Sequence, residues 1–104
     1  MMDLEQVAAH LSALEGVHQG EQGGLLRWTV KGRLVARQLD DGALVIRSGF
    51  AERERLIAEH PETFTVRPRF EAHMMVVAEL ATASAPAVRD ALDAAWSLQT
   101  TGRA

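Results

Sequence analysis

Cysteine is absent from the 104 residues of this sequence, and its absence excludes several classes of protein at once. Without cysteine there is no disulfide scaffold, no thiolate zinc site and no cysteine nucleophile. Residues 1–15 alternate charged with apolar residues and lack the basic-then-apolar run of a signal peptide. No stretch approaches the apolar length that a membrane span requires. We therefore expect a cytoplasmic protein that is neither secreted nor inserted in a membrane.

An excess of positive charge is also lacking, because the formal net charge is -3. Affinity for nucleic acid comes from neutralised phosphates and released counterions, so this value argues against binding by the whole surface. The charge is unevenly distributed along the chain. Residues 1–26 carry four acidic and no basic residues, residues 27–69 nine basic and six acidic, and residues 70–104 two basic and four acidic. Positive charge is thus concentrated in the middle of the chain.

The residue types that usually carry chemistry form no recognised site. The four histidines lie far apart and make no recognised ligand pair with a carboxylate or a second histidine at i+3 or i+4. The serines lack the context of a nucleophile elbow, and the glycine-rich stretch 16–24 lacks the lysine of a Walker motif. Glu52 and Glu54 lie beside two arginines on a charged helix, where solvated pairing explains them. We expect a non-enzymatic binding module with no catalytic residue, metal or cofactor.

Hydrophobic periodicity and turn residues predict eight elements in the order α-β-β-β-α-β-β-α. Helices are predicted over residues 4–15, 51–60 and 85–101, and strands over residues 25–30, 33–38, 43–47, 64–66 and 74–80. Asp3 and Ser84 are placed to cap the first and third helices. The stretch 16–24 is predicted to be a loop, because it contains four glycines and few apolar residues.

The short connections between these strands predict how the elements are arranged. Lys31-Gly32 joins one β-hairpin, and residues 67–73 join a second, longer one. Parallel strands would need longer crossovers, so we predict an antiparallel sheet with the helices packed on one face. The predicted fold class is α+β, in a single domain over residues 1–104 whose length suffices for a packed core. The tail from Thr100 to Ala104 is predicted to fray.

Several short motifs in this order resemble the YjbR/MmcQ family. They are Gly16-Val17, the run from Trp28 to Ala36, the run from Phe70 to His73, and Ala95-Trp96. The resemblance covers about residues 4–98. It implies a fold similar to type III secretion chaperones and frataxin-like proteins, in a family whose members are described as DNA-binding proteins with a "double wing". The sequence departs from the family at Ala72 and Met74-Met75, where the family tends to have a glycine and a Pro-Trp pair.

The two wings implied by the resemblance coincide with the two predicted hairpins, at Lys31-Gly32-Arg33 and Arg67-Pro68-Arg69. Strand alternation predicts that Arg27 and Lys31 share one face. Arginine suits contacts to phosphate, and two tips pointing the same way would straddle a nucleic-acid backbone. The candidate DNA-binding residues are Arg27, Lys31, Arg33, Arg37, Arg67, Arg69 and His73. The alternative interpretation is that these charges keep hairpin edges from adding strands and keep the domain soluble.

Two further functions remain open at this point. A protein-interaction or chaperone-like module would dock a partner through an apolar sheet face or through the strand containing Met74 and Met75. A small-ligand protein would have a pocket between sheet and helices, lined by Trp28 and Trp96. Both tryptophans lie on predicted apolar faces, which favours packing in the core over stacking on nucleic-acid bases.

Overall fold

A computed structural model describes residues 1–101 of the chain. Its helices are α1 (Leu4–Ser12), α2 (Phe50–Glu59) and α3 (Ala85–Thr101). Its strands are β1 (Val17–Gln22), β2 (Leu25–Val30), β3 (Arg33–Asp40), β4 (Ala43–Arg47), β5 (Phe64–Thr65) and β6 (Met75–Glu79), with short 3-10 turns at Pro68–Phe70 and Leu80–Thr82. The predicted tail starts too early, since α3 continues through Thr101. Residues 102–104 of that tail lie outside the described residues.

The six strands form one sheet in the order β1-β2-β3-β4-β6-β5, and every neighbouring pair is antiparallel. The predicted α+β class with an antiparallel sheet is therefore confirmed. Lys31 and Gly32 join β2 to β3 as predicted, and both have positive φ, as a two-residue type I′ turn requires. Asp41 and Gly42 join β3 to β4.

The prediction of a loop over residues 16–24 was wrong, because β1 occupies most of that stretch. Gly23 and Gly24 have φ values of +61° and +82°, which makes them a two-residue hairpin turn between β1 and β2. Five of the six residues of β1 are exposed, so the strand shows no apolar alternation. Backbone pairing with β2 alone defines it, and the Gly-Gly dipeptide was the signal in the sequence.

The three helices pack on one face of the sheet and enclose the main core. Its largest buried side chains include Trp28 of β2, Ile46 of β4, Leu56 of α2 and Leu92 of α3. Asp3 caps α1 by accepting from the backbone nitrogen of Gln6 at 2.8 Å, as predicted. Within residues 1–101, no helix is both long enough and apolar enough to span a membrane.

The opposite face of the sheet, here called the open face, is covered by none of the three α-helices of residues 1–101. A smaller apolar cluster lies there, formed by Ala43, Val45 and Val77 and covered by Phe70 of the 3-10 turn. The predicted second hairpin exists, because β5 pairs with β6. Its connection, however, folds back onto the sheet instead of projecting as a free wing, since burying Phe70 removes apolar surface from water.

Candidate anion-binding face

Two arginines lie directly opposite each other on the open face. Arg27 of β2 pairs with Arg37 of β3, and the same row continues through Val45 and Val77. Directly opposite residues of neighbouring strands present their side chains on one face, about 5 Å apart at Cβ. The sheet therefore places two guanidinium groups side by side where neither helix nor core covers them.

This pair of arginines is not neutralised by any acidic residue of the described chain. No carboxylate of the described residues lies within 4 Å of either guanidinium group. Arg27 donates instead to the neutral Oε1 of Gln22 at 2.8 Å, and Arg37 lies over the ring of Phe70, with Cζ 5.8 Å from its centroid. Like charges directly opposite each other on a sheet are destabilising. An anion bound between them would relieve that cost.

Arg69 extends the positive face beyond the two central strands. Its Cζ lies 4.6 Å from the centroid of the Phe70 ring, so this one aromatic ring contacts the guanidinium groups of both Arg37 and Arg69. A shallow depression of about 410 Å³ is lined by Arg37, Arg69, Phe70, His73 and Met75. Three of the predicted arginines and His73 are thus brought to one surface, with Phe70 at its centre.

A buried arginine holds this surface in place. Arg53 of α2 is 5% exposed and donates through Nη1 to the carbonyl oxygens of Phe70, His73 and Met75, at 3.4, 2.9 and 3.3 Å. Its Nη2 donates to the carbonyl oxygen of Glu71 at 3.1 Å. One side chain therefore satisfies four backbone acceptors of the connection between β5 and β6, which fixes the position of Phe70.

Arg67 lies on the open face but is already paired. It forms ion pairs with Glu79 at 3.3 Å and with Asp40 at 3.8 Å. An arginine held by two carboxylates offers less charge to an outside phosphate than an unpaired one. Of the predicted residues on this face, Arg67 is the one that contributes least.

Lys31 and Arg33 do not belong to this face, and the prediction that Arg27 and Lys31 share a face was wrong. The left-handed backbone of Lys31, with φ +54°, ends the strand alternation, and its Nζ donates to the carbonyl oxygen of Thr100 in α3 at 3.2 Å. Arg33 lies opposite the buried Val30, on the face that the helices cover. A bulge in β3 then restores Arg37 to the open face.

The two hairpin connections do lie at the same end of the sheet. β3 and β6 run in the same direction, because each is antiparallel to β4, and each starts directly after its connection. At this end the sheet has the strands β2, β3, β4 and β6 side by side. The first connection joins β2 to β3, and the second is folded over β6. The arrangement is a continuous sheet surface between two turns, and not a pair of projecting tips.

The features required by the two other functions are present only in part. A cleft of about 540 Å³ lies beside Trp96, whose Nε1 donates to the carbonyl oxygen of Glu15 at 2.9 Å. The prediction that Trp28 also lines such a pocket was wrong. Trp28 is fully buried, and its Nε1 donates to Oε1 of Gln19. Among residues 1–101, the large apolar side chains that are exposed are Met1 and Phe50. In the same range, no group of three or more histidine or acidic residues is placed to hold a metal ion.

The roles of Phe70 and Arg53 do not follow from the sequence patterns described above. Phe70 stands within a family motif, and the motif does not indicate that its ring contacts two arginines. The charge pattern of α2 predicts a solvated Arg53, yet this side chain is buried. The signal was helical spacing, because Arg53 precedes Leu56 by three residues and Ile57 by four, and so lies on their stripe.

Comparison with known proteins shows the fold. The chain is similar to the crystal structure of Deinococcus radiodurans protein DR2400, a DUF419 domain, with a TM-score of 0.81 at 18% sequence identity. The match covers 98% of this chain and 81% of that protein. No protein-family model matches the sequence, and no curated protein matches it. The α+β fold of the chain is therefore that of a DUF419 structure.

Proposed function

We propose that this chain is a non-enzymatic module that binds duplex DNA by its phosphates, through the open face of the sheet. The proposal follows the DNA-binding function implied by the YjbR/MmcQ resemblance, but moves the contact from two wing tips to the sheet surface. The contact residues are Arg27, Arg37 and Arg69, with His73 at the margin. Arg67 is a secondary contact, while Lys31 and Arg33 are outside the interface.

One observation carries the proposal: three arginines that have no carboxylate partner among residues 1–101 lie together on the open face of the sheet. Among the other arginines of the described chain, Arg55 is paired with Glu52 and Glu59, and Arg53 donates to four carbonyl oxygens. Arg33, Arg47 and Arg89 also lack an ion pair within residues 1–101, but they are not grouped with one another as Arg27, Arg37 and Arg69 are. Arginine forks match phosphate oxygens in geometry and charge. Keeping like charges opposed and unpaired is consistent with a surface whose counter-charge is supplied by a ligand.

The shape of the face favours an extended polyanion over a small phosphate compound. The depression beside Phe70 and a second one of about 350 Å³, which Arg27 and Arg37 line, both open to solvent. The arginines are spread over β2, β3 and the turn that follows β5. Small ligands bind in enclosed pockets, whereas β-sheet surfaces and ribbons are known to contact nucleic acid. With a net charge of -3, the rest of the molecule repels DNA, which restricts contact to this face.

The test is fluorescence anisotropy with a labelled random duplex at low and at physiological salt. The variant Arg27→Gln with Arg37→Gln removes the opposed pair and leaves the aromatic cover of the open face intact. A matched control, Arg55→Gln with Arg89→Gln, removes the same charge from α2 and α3 on the other side of the sheet. Both of those arginines are exposed, so the folded core is retained.

We expect the wild-type chain to bind at low salt, and the open-face variant to bind at least about tenfold more weakly, since each lost phosphate contact removes a counterion-release contribution. The control should bind like the wild type. An absence of binding even at low salt, or equal losses in the two variants, would sink the proposal and leave the arginines as charges that serve solubility.

A further inference from the structure

The outer edge of β1 is free in the described chain. β1 pairs with β2 alone. Gln22 and Leu25 flank the two-residue turn, so they form a hydrogen-bonded pair. Hydrogen-bonded pairs alternate along an antiparallel ladder, so the backbone groups of Gly20 and His18 also bond to β2. The backbone groups of Gln19 and Glu21 therefore point outward. No other described segment pairs with them.

The edge also lacks most of the features that usually block strand addition. Lysine, proline, bulges and short length protect natural edges, whereas β1 has six residues with none of the first three, and Glu21 is its one acidic residue. The other edge strand, β5, has only two residues and leads into Arg67 and a proline. The two edges of this sheet thus differ, and only β1 is suited to accept another strand.

We propose that β1 pairs antiparallel with β1 of a second copy of this chain, about a two-fold axis at Gly20. Such an axis pairs residues whose numbers sum to 40, so Gln19 lies opposite Glu21 of the partner subunit, and the reverse pair forms by symmetry. These two residues are the ones whose backbone groups point outward. The inference rests on β1 alone, and not on the proposed binding of DNA.

The side chains are complementary in this register. Gln19 accepts a hydrogen bond from Nε1 of Trp28 at 2.9 Å, which orients its amide and leaves the NH₂ donors free. Glu21 has no hydrogen bond or ion pair from its carboxylate within the described residues. An oriented donor therefore faces an unpaired acceptor twice across the axis. No like charges are opposed, because His18 lies opposite Gln22 of the partner subunit.

Gly20 gives independent support. Its φ is not positive, and a Cβ there would meet only Cγ of Arg27, at an ordinary 3.8 Å. No contact among residues 1–101 therefore requires a glycine here, although glycine weakens a strand interior. Such a residue often marks the close approach of another backbone. On the proposed axis, Gly20 meets Gly20 of the partner subunit at a non-hydrogen-bonded position, where Cα atoms come closest.

The pairing also joins the two open faces. Gly20 lies opposite Arg27, so the arginine row of one copy continues directly into that of the other. Three strand spacings of about 4.8 Å separate Arg27 from its symmetry mate, roughly 14 Å in all. The dimer would then present one sheet of twelve strands with two arginine pairs on the same side.

The experiment is sedimentation velocity without DNA, from low micromolar to several hundred micromolar protein. The wild type should approach twice the 11.4 kDa of one chain as concentration rises. Glu21→Pro removes an outward N–H, leaves the bond between Gln19 and Trp28 in place and should stay monomeric, since proline is tolerated on the free side of an edge strand. Gly20→Lys opposes two charges across the axis and should also stay monomeric. The control Ala51→Lys adds the same charge on α2 and should dimerise like the wild type.

Retained urea unfolding midpoints would show that both variants remain folded. A wild type that is monomeric over the whole range overturns the inference, and so does a dimer that persists in both variants. Neither result bears on the DNA titrations, because the oligomeric state is measured without DNA.

Discussion

At the scale of single residues, the most consequential side chain is the buried Arg53. Burying a cation without a carboxylate is costly unless its donors are satisfied. Here four carbonyl oxygens of residues 70–75 accept from it, while its Nε has no partner within the described residues. Arg53 thereby couples α2 to the turn that carries Phe70 and Arg69. Arg53 therefore fixes the shape of the open face, although it belongs to α2, a helix that packs on the other face of the sheet.

We predict that Arg53→Met lowers the free energy of unfolding by about 2 to 4 kcal/mol, because it leaves buried carbonyl oxygens without donors. Urea unfolding followed by circular dichroism measures this. Arg55→Met is the control, since Arg55 is exposed and its loss should change the midpoint little. If the two variants were equally stable, the hydrogen bonds of Arg53 would not be what holds the turn.

At the scale of elements, the hairpin of β1 and β2 depends on its turn. Gly23 and Gly24 both have left-handed φ, and a Cβ at either would meet nothing within 4 Å. Substitutions there consequently report backbone conformation without interference from packing. Asn-Gly is the preferred dipeptide of a type I′ turn, whereas β-branched residues are strained at positive φ.

We predict that Gly23→Asn raises the free energy of unfolding by about 0.5 kcal/mol, because asparagine tolerates this φ and restricts the unfolded chain. Gly24→Val should lower it by about 1 to 2 kcal/mol through strain at positive φ. Paired urea titrations of the two variants measure both shifts. Equal effects of the two substitutions would show that the turn does not adopt this conformation in solution.

Elements with an apolar pattern were predictable, and those defined by backbone pairing were not. The helices, the hairpin at Lys31-Gly32 and the antiparallel sheet followed from periodicity and turn residues. β1 was missed because an exposed edge strand needs no apolar residues. For the site, the arginines of the open face were identified by residue type. Lys31 was predicted to lie on the same face as Arg27, which is wrong because the alternation of a strand does not continue through a turn.

At the scale of the whole molecule, an acidic chain carries a local group of positive charges. The net charge is -3, yet Arg27, Arg37 and Arg69 lie together on the open face without a carboxylate partner within residues 1–101. Arg67 lies at the border of this region, held by Asp40 and Glu79. These two carboxylates limit the positive surface to its central part. Removing them should release Arg67 for contact with phosphate.

We therefore predict that Asp40→Asn with Glu79→Gln increases the affinity for duplex DNA. Each phosphate neutralised adds about 0.9 to the slope of log K against log salt, so the slope of the variant should be steeper by about one. Anisotropy titrations over a series of salt concentrations measure it. Glu5→Gln with Asp90→Asn is the control, because it removes the same charge from exposed positions on α1 and α3. A general effect of net charge would raise affinity equally in both variants, whereas release of Arg67 steepens the slope only in the first. An unchanged slope in the first variant would mean that DNA does not reach this part of the open face.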